Sequence, residues 1–147
     1  MTRPPRGYAP VVEIRRLGPD DEDLLRQAVR LLRDEDVPAP DLFLRDPRTH
    51  TFVALDGGAV VGAAYGYELL RPEGRWMMLL YEIGVTEPHR RQGVGHALMD
   101  AFAAFARSKG HARMWLFTDA GNEAARRLYE GAGGEPAEKL GYWWVFG

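Results

Sequence analysis

A long apolar run passes through a basic, glycine-bearing turn into an amphipathic helix. The run, residues 76–86, is hydrophobic enough for a strand buried on both faces, and Glu82 is the one charge inside it. From Val94 onward, apolar residues recur at helical spacing as far as Lys109-Gly110, a cation followed by a left-handed stop. This strand, turn and helix predict a sheet with helices packed on it.

Shorter patterns on both sides complete the predicted fold, an α/β mixed sheet covered by helices. Upstream we expect a strand at 11–16, a helix running to about Asp36, a short helical turn at 41–45, and a hairpin of strands 51–55 and 59–69 around Asp56-Gly57-Gly58. Downstream we expect a strand at 112–118, a helix at about 122–130 and an aromatic final strand at 142–146. One of Trp143 and Trp144 is expected in the core, and the other at a subunit contact or in a cleft.

The size of the chain indicates one domain. Its 147 residues are 46% hydrophobic and 27% charged, as in an ordinary globular protein. Residues 11–147 are assigned to the domain and residues 1–10, rich in proline, to a loose tail. No apolar stretch approaches membrane-spanning length and no signal peptide is recognised, so a cytoplasmic protein without membrane contact is expected.

Composition also excludes several kinds of chemistry. The chain has no cysteine, which removes disulfides, thiolate metal sites and a cysteine nucleophile. The net charge of −2 argues against nucleic-acid binding. The histidines at positions 50, 89, 96 and 111 lack metal-ligand spacing, so they are predicted to be surface residues and no metal is expected.

The turn Arg90-Arg91-Gln92-Gly93-Val94-Gly95 has the properties of an anion site. Its glycines let the backbone approach a ligand, and the unpaired amides at a helix start attract negative charge. We therefore predict a pyrophosphate cradle, to which the two arginines add charge. The spacing fits neither the dinucleotide fingerprint nor the nucleoside-triphosphate loop. The alternative is a basic surface loop with two turn glycines.

This hexapeptide resembles the Arg/Gln-x-x-Gly-x-Gly/Ala motif of the Gcn5-related N-acetyltransferase (GNAT) superfamily. Ile83-Gly84-Val85 resembles the end of that family's fourth strand, which splays from its neighbour to pair with pantetheine. Asn122, Ala125 and Tyr129 resemble its Asn-x-x-Ala-x-x-x-Tyr segment. The resemblance implies the GNAT fold with a splayed central strand, and acetyl-CoA as cosubstrate. It implies cofactor contacts from Ile83, Gly84, Val85, Arg90, Arg91, Gln92, Gly93, Val94, Gly95, His96, Asn122, Ala125 and Tyr129.

Acetyl transfer to an amine requires a base, a polarised carbonyl and a proton for the departing thiolate. Glu82 is the candidate base, directly or through a water, with its pKa expected to be raised by burial; the alternative is an edge-facing glutamate paired with an arginine. The resemblance implies Tyr129 as the acid, the alternative being a tyrosine packed on the core. The backbone amide of Val85 would polarise the carbonyl.

A narrower resemblance concerns the acceptor. Arg16-Leu17-Gly18-Pro19-Asp20, the segment 81–85 and the segment 90–93 look like those of aminoglycoside 3-N-acetyltransferases, which carry acids at the positions of Glu82 and Asp119. Glutamate for the usual aspartate at position 82 is a departure. A polycationic amine acceptor suits a cleft lined with carboxylates. The carboxylates considered for such a cleft, with a solvated acidic face as the alternative, are Asp34, Glu35, Asp36, Glu82, Asp119 and Glu123.

Three functions remain open at this point. The first is an aminoglycoside N-acetyltransferase, acting on the 3-amino group and conferring resistance. The second is the same fold acting on another amine, such as a polyamine, an amino acid or a protein amino terminus. The third is a CoA-binding module without turnover. The resemblance also implies a homodimer, with a monomer as the alternative.

Overall fold

The structure of the chain, a computed structural model, describes residues 12–147. The predicted tail at 1–10 and the first residue of the predicted first strand, Val11, lie outside this range. Five strands and four α-helices follow one another in the order β1 (Glu13–Arg16), α1 (Glu22–Arg33), α2 (Pro40–Arg45), β2 (Thr49–Asp56), β3 (Ala59–Leu70), β4 (Trp76–Val85), α3 (Val94–Ser108), β5 (Met114–Trp115) and α4 (Glu123–Gly131).

The strands form one mixed sheet in the order β1-β2-β3-β4-β5. Strands β1 to β4 pair with one another in antiparallel fashion, and β5 is parallel to β4. The predicted hairpin joins β2 to β3 through Gly57 and Gly58, whose φ angles of 57° and 84° suit the tight turn. The predicted α/β mixed sheet is therefore confirmed.

Helices cover both faces of the sheet. On one face, Val94, Leu98 and Phe102 of α3 pack against β2, β3 and β4 in the larger core cluster. On the other, Ala28 of α1 packs against Val53 and its neighbours. Among residues 12–147, no helix combines the length and the apolar character needed to cross a membrane.

Small residues on β3 bring α3 close to the sheet. A Cβ on Gly62 would lie 3.0 Å from Leu98 Cδ1, and one on Gly66 would lie 2.9 Å from Phe102 Cζ. Ala64 lies between these two glycines on the same face and is fully buried. Because Gly62 and Gly66 have no side chains, α3 can pack close to β3. This close packing determines the position of α3 and of the turn that precedes it.

Strand β4 separates from β5 after a short contact. The two strands pair only at Met78↔Met114 and Leu79↔Trp115. The amide of Thr86 bonds to Val61 O on β3. Backbone N–H and C=O groups of successive residues point to alternate sides of a strand, so the backbone groups of Val85 and Ile83 point away from β3. No strand of the described chain covers them on that side. The expected splay of the central strand is confirmed.

Five sequence-based expectations about these elements were wrong. Helix α1 ends at Arg33 rather than near Asp36, because Asp34 takes a left-handed conformation (φ 53°). Strand β5 has two residues instead of seven, and β4 is only partly buried. Residues 142–146 form no strand, and Trp143 and Trp144 are both exposed, so neither is in the core. A strand needs a partner edge, and the aromatic pattern alone does not supply one.

Candidate functional site

The predicted anion site lies where β4 splays and α3 begins. Gly93 caps the helix in a left-handed conformation (φ 84°), and Arg91 also has a positive φ, 62°. Within the described chain, the backbone amides from Arg91 to His96 bond to no backbone carbonyl, whereas the next amide, that of Ala97, bonds to Gly93 O. A run of free amides at a helix start is a site where an anion can bind.

The polar side chains of this turn have mixed orientations. Arg90 Nε donates to the carbonyl of Val85 at 3.0 Å, so this arginine lies against the splayed end of β4. Arg91 is exposed and Gln92 donates to Pro88 O. The ring of His96 instead bonds to Asp100 and to the carbonyl of Gly131, so of this residue only the amide belongs to the anion site.

Helix α4 packs directly on the turn. A Cβ on Gly95 would lie 3.2 Å from Leu128 Cδ2 and 3.7 Å from Val85 Cγ2, so this glycine lets α4, the turn and β4 meet. Asn122 caps α4, its Oδ1 accepting from the amide of Ala125 at 3.1 Å. The contacts of Gly95 thus bring β4, the turn and α4 together, and Asn122 and Ala125 lie at the start of α4.

Tyr129 follows Leu128 on α4 and packs against the larger core cluster. Burial raises the pKa of its phenol above the ordinary value, so the side chain is protonated at neutral pH. Its hydroxyl takes part in none of the hydrogen bonds found among residues 12–147. Tyr129 is thus a protonated donor whose hydroxyl is available to a ligand.

Glu82 is held by an arginine. Arg33 Nε lies 3.0 Å from each of its two carboxylate oxygens, and the hydroxyl of Tyr65 lies 3.4 Å from one of them. The bond to Glu82 raises the pKa of Arg33. The side chain of Glu82 keeps 25% of its surface exposed, so it is not a buried carboxylate. In the absence of substrate, Glu82 is therefore paired with an arginine, as the alternative interpretation of this residue expected.

A bulge in β4 changes the surroundings of Glu82. Leu80 pairs with Gly66 and Glu82 with Tyr65, which leaves Tyr81 as an extra residue. Tyr81 therefore packs on Tyr65 and beneath Arg33, on the same face as Glu82, and is not separated from it by alternation as expected.

An aromatic cluster surrounds this pair. Its ring centroids are 5.7–6.1 Å apart, and it is made of Phe43, Tyr65, Tyr67 and Tyr81. Burial, followed by the charge of Glu82, raises the pKa of Tyr65, and burial raises that of Tyr67. Neither Arg33 nor this cluster was predicted from the sequence, although the spacing of Tyr65 and Tyr67 on one face of β3 was a signal.

No hydrogen bond or ion pair among residues 12–147 connects the remaining predicted acids to Glu82 through a shared partner. Within the described chain, every hydrogen bond and ion pair of Glu82 is made to Arg33 or Tyr65. Asp36 pairs instead with Arg30 of α1, at 2.9 Å. No ion pair among residues 12–147 involves the other acids, which are Asp34, Glu35, Asp119 and Glu123. The carboxylate-lined cleft thus stays a prediction.

A second polar cluster lies at the opposite end of β3. Glu68 accepts from Nε2 of His50 at 2.6 Å and of His111 at 2.8 Å, and Lys109 Nζ lies 3.6 Å away. The side chains of both histidines are buried, so predicting them as surface residues was wrong. In the described part of the chain, no group of three or more acidic or histidine side chains is arranged to hold a metal ion.

Comparison with protein families identifies the group to which this arrangement belongs. The sequence model described as "Acetyltransferase (GNAT) family" matches residues 17–133, most of the chain. The chain belongs to the GNAT acetyltransferase family. The match includes the splayed strand, the turn and α4, so the GNAT elements are the ones that form the candidate site.

Curated relatives are similar to this GNAT chain over more than half of its length. Probable N-acetyltransferase family 8 member 5 of Mus musculus is 37% identical over 83 residues, 56% of this chain and 37% of the relative. N-acetyltransferase family 8 member 2 of Rattus norvegicus is 34% identical over 95 residues, 64% of this chain and 41% of the relative. The chain therefore spans about two fifths of the length of these relatives.

Solved structures share the GNAT fold throughout. An aminoglycoside acetyltransferase from an uncultured soil metagenomic sample, in complex with sisomicin, superposes with a TM-score of 0.84 at 21% identity, covering 92% of this chain and 95% of that one. The ribosomal-protein-alanine N-acetyltransferase of Brucella melitensis biovar Abortus 2308 has a TM-score of 0.76 at 25% identity, covering 92% and 100%. The fold is thus that of these solved acetyltransferase chains.

Proposed function

We propose that this GNAT domain transfers the acetyl group of acetyl-CoA to an amine of an aminoglycoside. The 3-amino group is the position implied by the sequence resemblance, and acetylation there would confer resistance. The observation that carries the proposal is the run of free amides from Arg91 to His96, placed at the splayed end of β4. It supplies an anion site and an uncovered strand in one place.

Acetyl-CoA fits this place element by element. Its pyrophosphate would lie on the amides at the start of α3, with Arg90 and Arg91 supplying positive charge. Its pantetheine arm, which carries amides, would bond to the strand groups of Ile83 and Val85 that point away from β3. Gly84 lies between these two residues and has no side chain; a Cβ there would lie 2.9 Å from Leu32 Cδ2.

The reacting groups follow from this placement. The amine nitrogen attacks the thioester carbon, whose oxygen is polarised by the amide of Val85, and the bond to sulfur breaks. Glu82 receives the proton that the nitrogen loses, directly or through a water. Tyr129 donates its proton to the departing thiolate; its position beside Leu128, one contact from Gly95, supports this role.

Support for the acceptor comes from two sources. Solved structures with this fold include aminoglycoside acetyltransferases, one in complex with sisomicin. The Glu82 carboxylate, which Arg33 pairs with in the absence of substrate, and the tyrosine rings beside it form an environment that suits a cationic amine. A second acceptor class, a protein amino terminus, is favoured by the likeness to the Brucella alanine N-acetyltransferase.

A thiol-release assay with acetyl-CoA tests the proposal. The acceptors are sisomicin and related aminoglycosides, a polyamine, free amino acids and a peptide with an amino-terminal alanine. Turnover of an aminoglycoside supports the proposal, and Glu82→Gln should then lower kcat/KM about 100-fold or more. Glu87→Gln, the same change at an exposed position outside the site, should keep wild-type activity.

The other outcomes of this assay discriminate among the alternatives. Release only with the peptide or another amine would replace the aminoglycoside by that acceptor. Binding of acetyl-CoA without release for any amine would support the CoA-binding module instead.

We also propose a homodimer. Residues 142–146 are 74–91% exposed and almost entirely aromatic or β-branched, and the outer edge of β5 has no partner strand in the described chain. Such a segment buries its surface by pairing with an edge of a second copy. Light scattering should give a dimer for the whole chain and a monomer after truncation at Gly141. A whole chain that is monomeric at micromolar concentration would contradict the dimer.

A further inference from the structure

The elements around Glu82 form a complete cation site, and a cation of the chain itself occupies it. Arg33 Nε contacts both carboxylate oxygens at 3.0 Å, and its Nη2 donates to the hydroxyl of Tyr65 at 2.8 Å. The Arg33 Cζ atom lies 6.0 Å from the ring centre of Tyr65 and 5.9 Å from that of Tyr81. A carboxylate beside aromatic faces is the environment that a protonated amine also prefers.

We infer that Arg33 sets the charge selectivity of the acceptor site by occupying Glu82 until an ammonium group of the acceptor displaces it. This inference rests on the proposed function, in which Glu82 receives the acceptor amine. The guanidinium and the ammonium compete for the same two oxygens, and two cations so close repel each other. A polycation attracts the carboxylate with several charges, so it displaces Arg33 more readily than a monoamine does.

The position of Arg33 suits such an exchange. It is the last residue of α1, immediately before the left-handed Asp34, and 41% of its side chain is exposed. The guanidinium can therefore swing into solvent without breaking the core. Glu82 is fixed on the sheet by its pairing with Tyr65, so the carboxylate stays when the arginine leaves.

Arg30 provides a matched control. It lies one turn earlier on the same helix, carries the same charge and also makes an ion pair, with Asp36 at 2.9 Å. It contacts neither Glu82 nor the tyrosine rings among the contacts of residues 12–147. Arg30→Gln therefore changes the net charge as much as Arg33→Gln does but leaves the pair at Glu82 intact.

The test is equilibrium binding of sisomicin, measured by calorimetry at low salt. Arg33→Gln should bind it about fivefold or more tighter than wild type, and Arg30→Gln should stay within about twofold. Arg33→Lys, which keeps the cation, should resemble wild type. Adding Glu82→Gln to Arg33→Gln should remove the gain. Circular dichroism establishes that each variant is folded.

Two results would overturn the inference. The first is that Arg33→Gln binds sisomicin no more tightly than wild type, or not detectably. The second is that the gain in sisomicin affinity persists when Glu82→Gln is added. Where turnover occurs, Arg33→Gln should lower the acceptor KM and leave the KM of acetyl-CoA unchanged. Absence of turnover in every variant would count against the proposed function alone, because sisomicin binding decides the role of Arg33 without any reaction.

Discussion

Glu68 accepts a hydrogen bond from Nε2 of His111 at 2.8 Å, and the two side chains are only 7% and 2% exposed. His50 donates to the other oxygen of the same carboxylate. Because the three residues come from β3, β2 and the segment after α3, this cluster connects three parts of the fold.

Removing the carboxylate should therefore unfold the domain more easily. Glu68→Ala leaves two buried imidazoles without their acceptor, and breaking a buried pair of this kind costs about 3 kcal/mol. Glu73→Ala removes an exposed carboxylate paired with Arg71 and should cost less than about 1 kcal/mol. Urea unfolding of both variants measures the difference. Equal losses in the two would contradict a structural role for the cluster.

Acid should weaken the domain through the same cluster. Burial lowers the pKa of His50 below its ordinary 6.5, despite the bond to Glu68 and with Arg16 and Lys109 also opposing its charge. The unfolded chain therefore binds a proton near pH 6.5 that the folded chain does not yet bind, so stability is full above pH 6.5 and falls as the pH drops.

Glu68 adds to this effect at lower pH. Burial raises the pKa of its carboxyl, but the bonds from His50 and His111 and the charge of Lys109 outweigh it and hold the pKa below 4.5. Its contribution is present above pH 4.5 and is lost below it. Melting temperatures between pH 7.5 and 4 should show both steps, and His50→Gln should flatten the first. An unchanged slope in His50→Gln would assign the loss to other groups.

Alanine substitutions at Gly93 and Gly58 distinguish the effect of changing the anion site from the effect of backbone strain alone. Both have a φ of 84°, so alanine at either position costs about 1–2 kcal/mol. Only Gly93 lies in the candidate cofactor turn. We expect Gly93→Ala to bind acetyl-CoA at least tenfold more weakly, whereas Gly58→Ala, in the hairpin, should bind it normally. Calorimetric titration with acetyl-CoA measures both, and similar affinities would remove the turn from the cofactor site.

Gly84 should be intolerant of a side chain. A Cβ there would lie 2.9 Å from Leu32 Cδ2 of α1, so Gly84→Ala must shift the Leu32 side chain and should cost about 1–3 kcal/mol. Gly121→Ala meets no atom within 4 Å and should change stability by less than about 0.5 kcal/mol. Thermal unfolding compares the stability of the two variants. A Gly84→Ala variant as stable as wild type would show that Leu32 moves aside without cost.

Tyr129→Phe tests the proposed acid. The change removes only a hydroxyl, so the fold should be kept while kcat falls about 100-fold. Tyr142→Phe makes the same change at a residue that is 77% exposed and should have no effect on kcat. Pre-steady-state thiol release reports the chemical step directly. Normal release in Tyr129→Phe would leave Tyr129 as a packing residue.

The turn and its flanking elements were predictable from the sequence because their signals are local. Glycines at 93 and 95, the helical spacing after Val94 and the Asp-Gly hairpin each act within a few residues. The partner of Glu82 was not predictable in this way, since Arg33 lies 49 positions away. The bulge at Tyr81 moved a residue to the other face, which a period-two pattern cannot indicate.

Burial of polar residues was likewise decided at long range. Glu68 lies 18 positions from His50 and 43 from His111, so nothing adjacent in sequence marks these histidines as internal. The aromatic pattern at 142–146 has the residue preferences of a strand, but its pairing depends on an edge elsewhere. In both cases the deciding partner is distant along the chain.

The contact between Gly95 and Leu128 connects the candidate cofactor turn to the helix that carries Tyr129, the proposed acid. A Cβ at position 95 would lie 3.2 Å from Leu128 Cδ2, so Leu128 would have to shift, and Leu128 precedes Tyr129 on α4. A larger side chain at this position of the candidate cofactor turn would therefore also disturb the helix that carries Tyr129, the proposed proton donor. Glu82 and Arg33 stand on other elements, so the acceptor end can diverge while the turn and α4 remain constrained together.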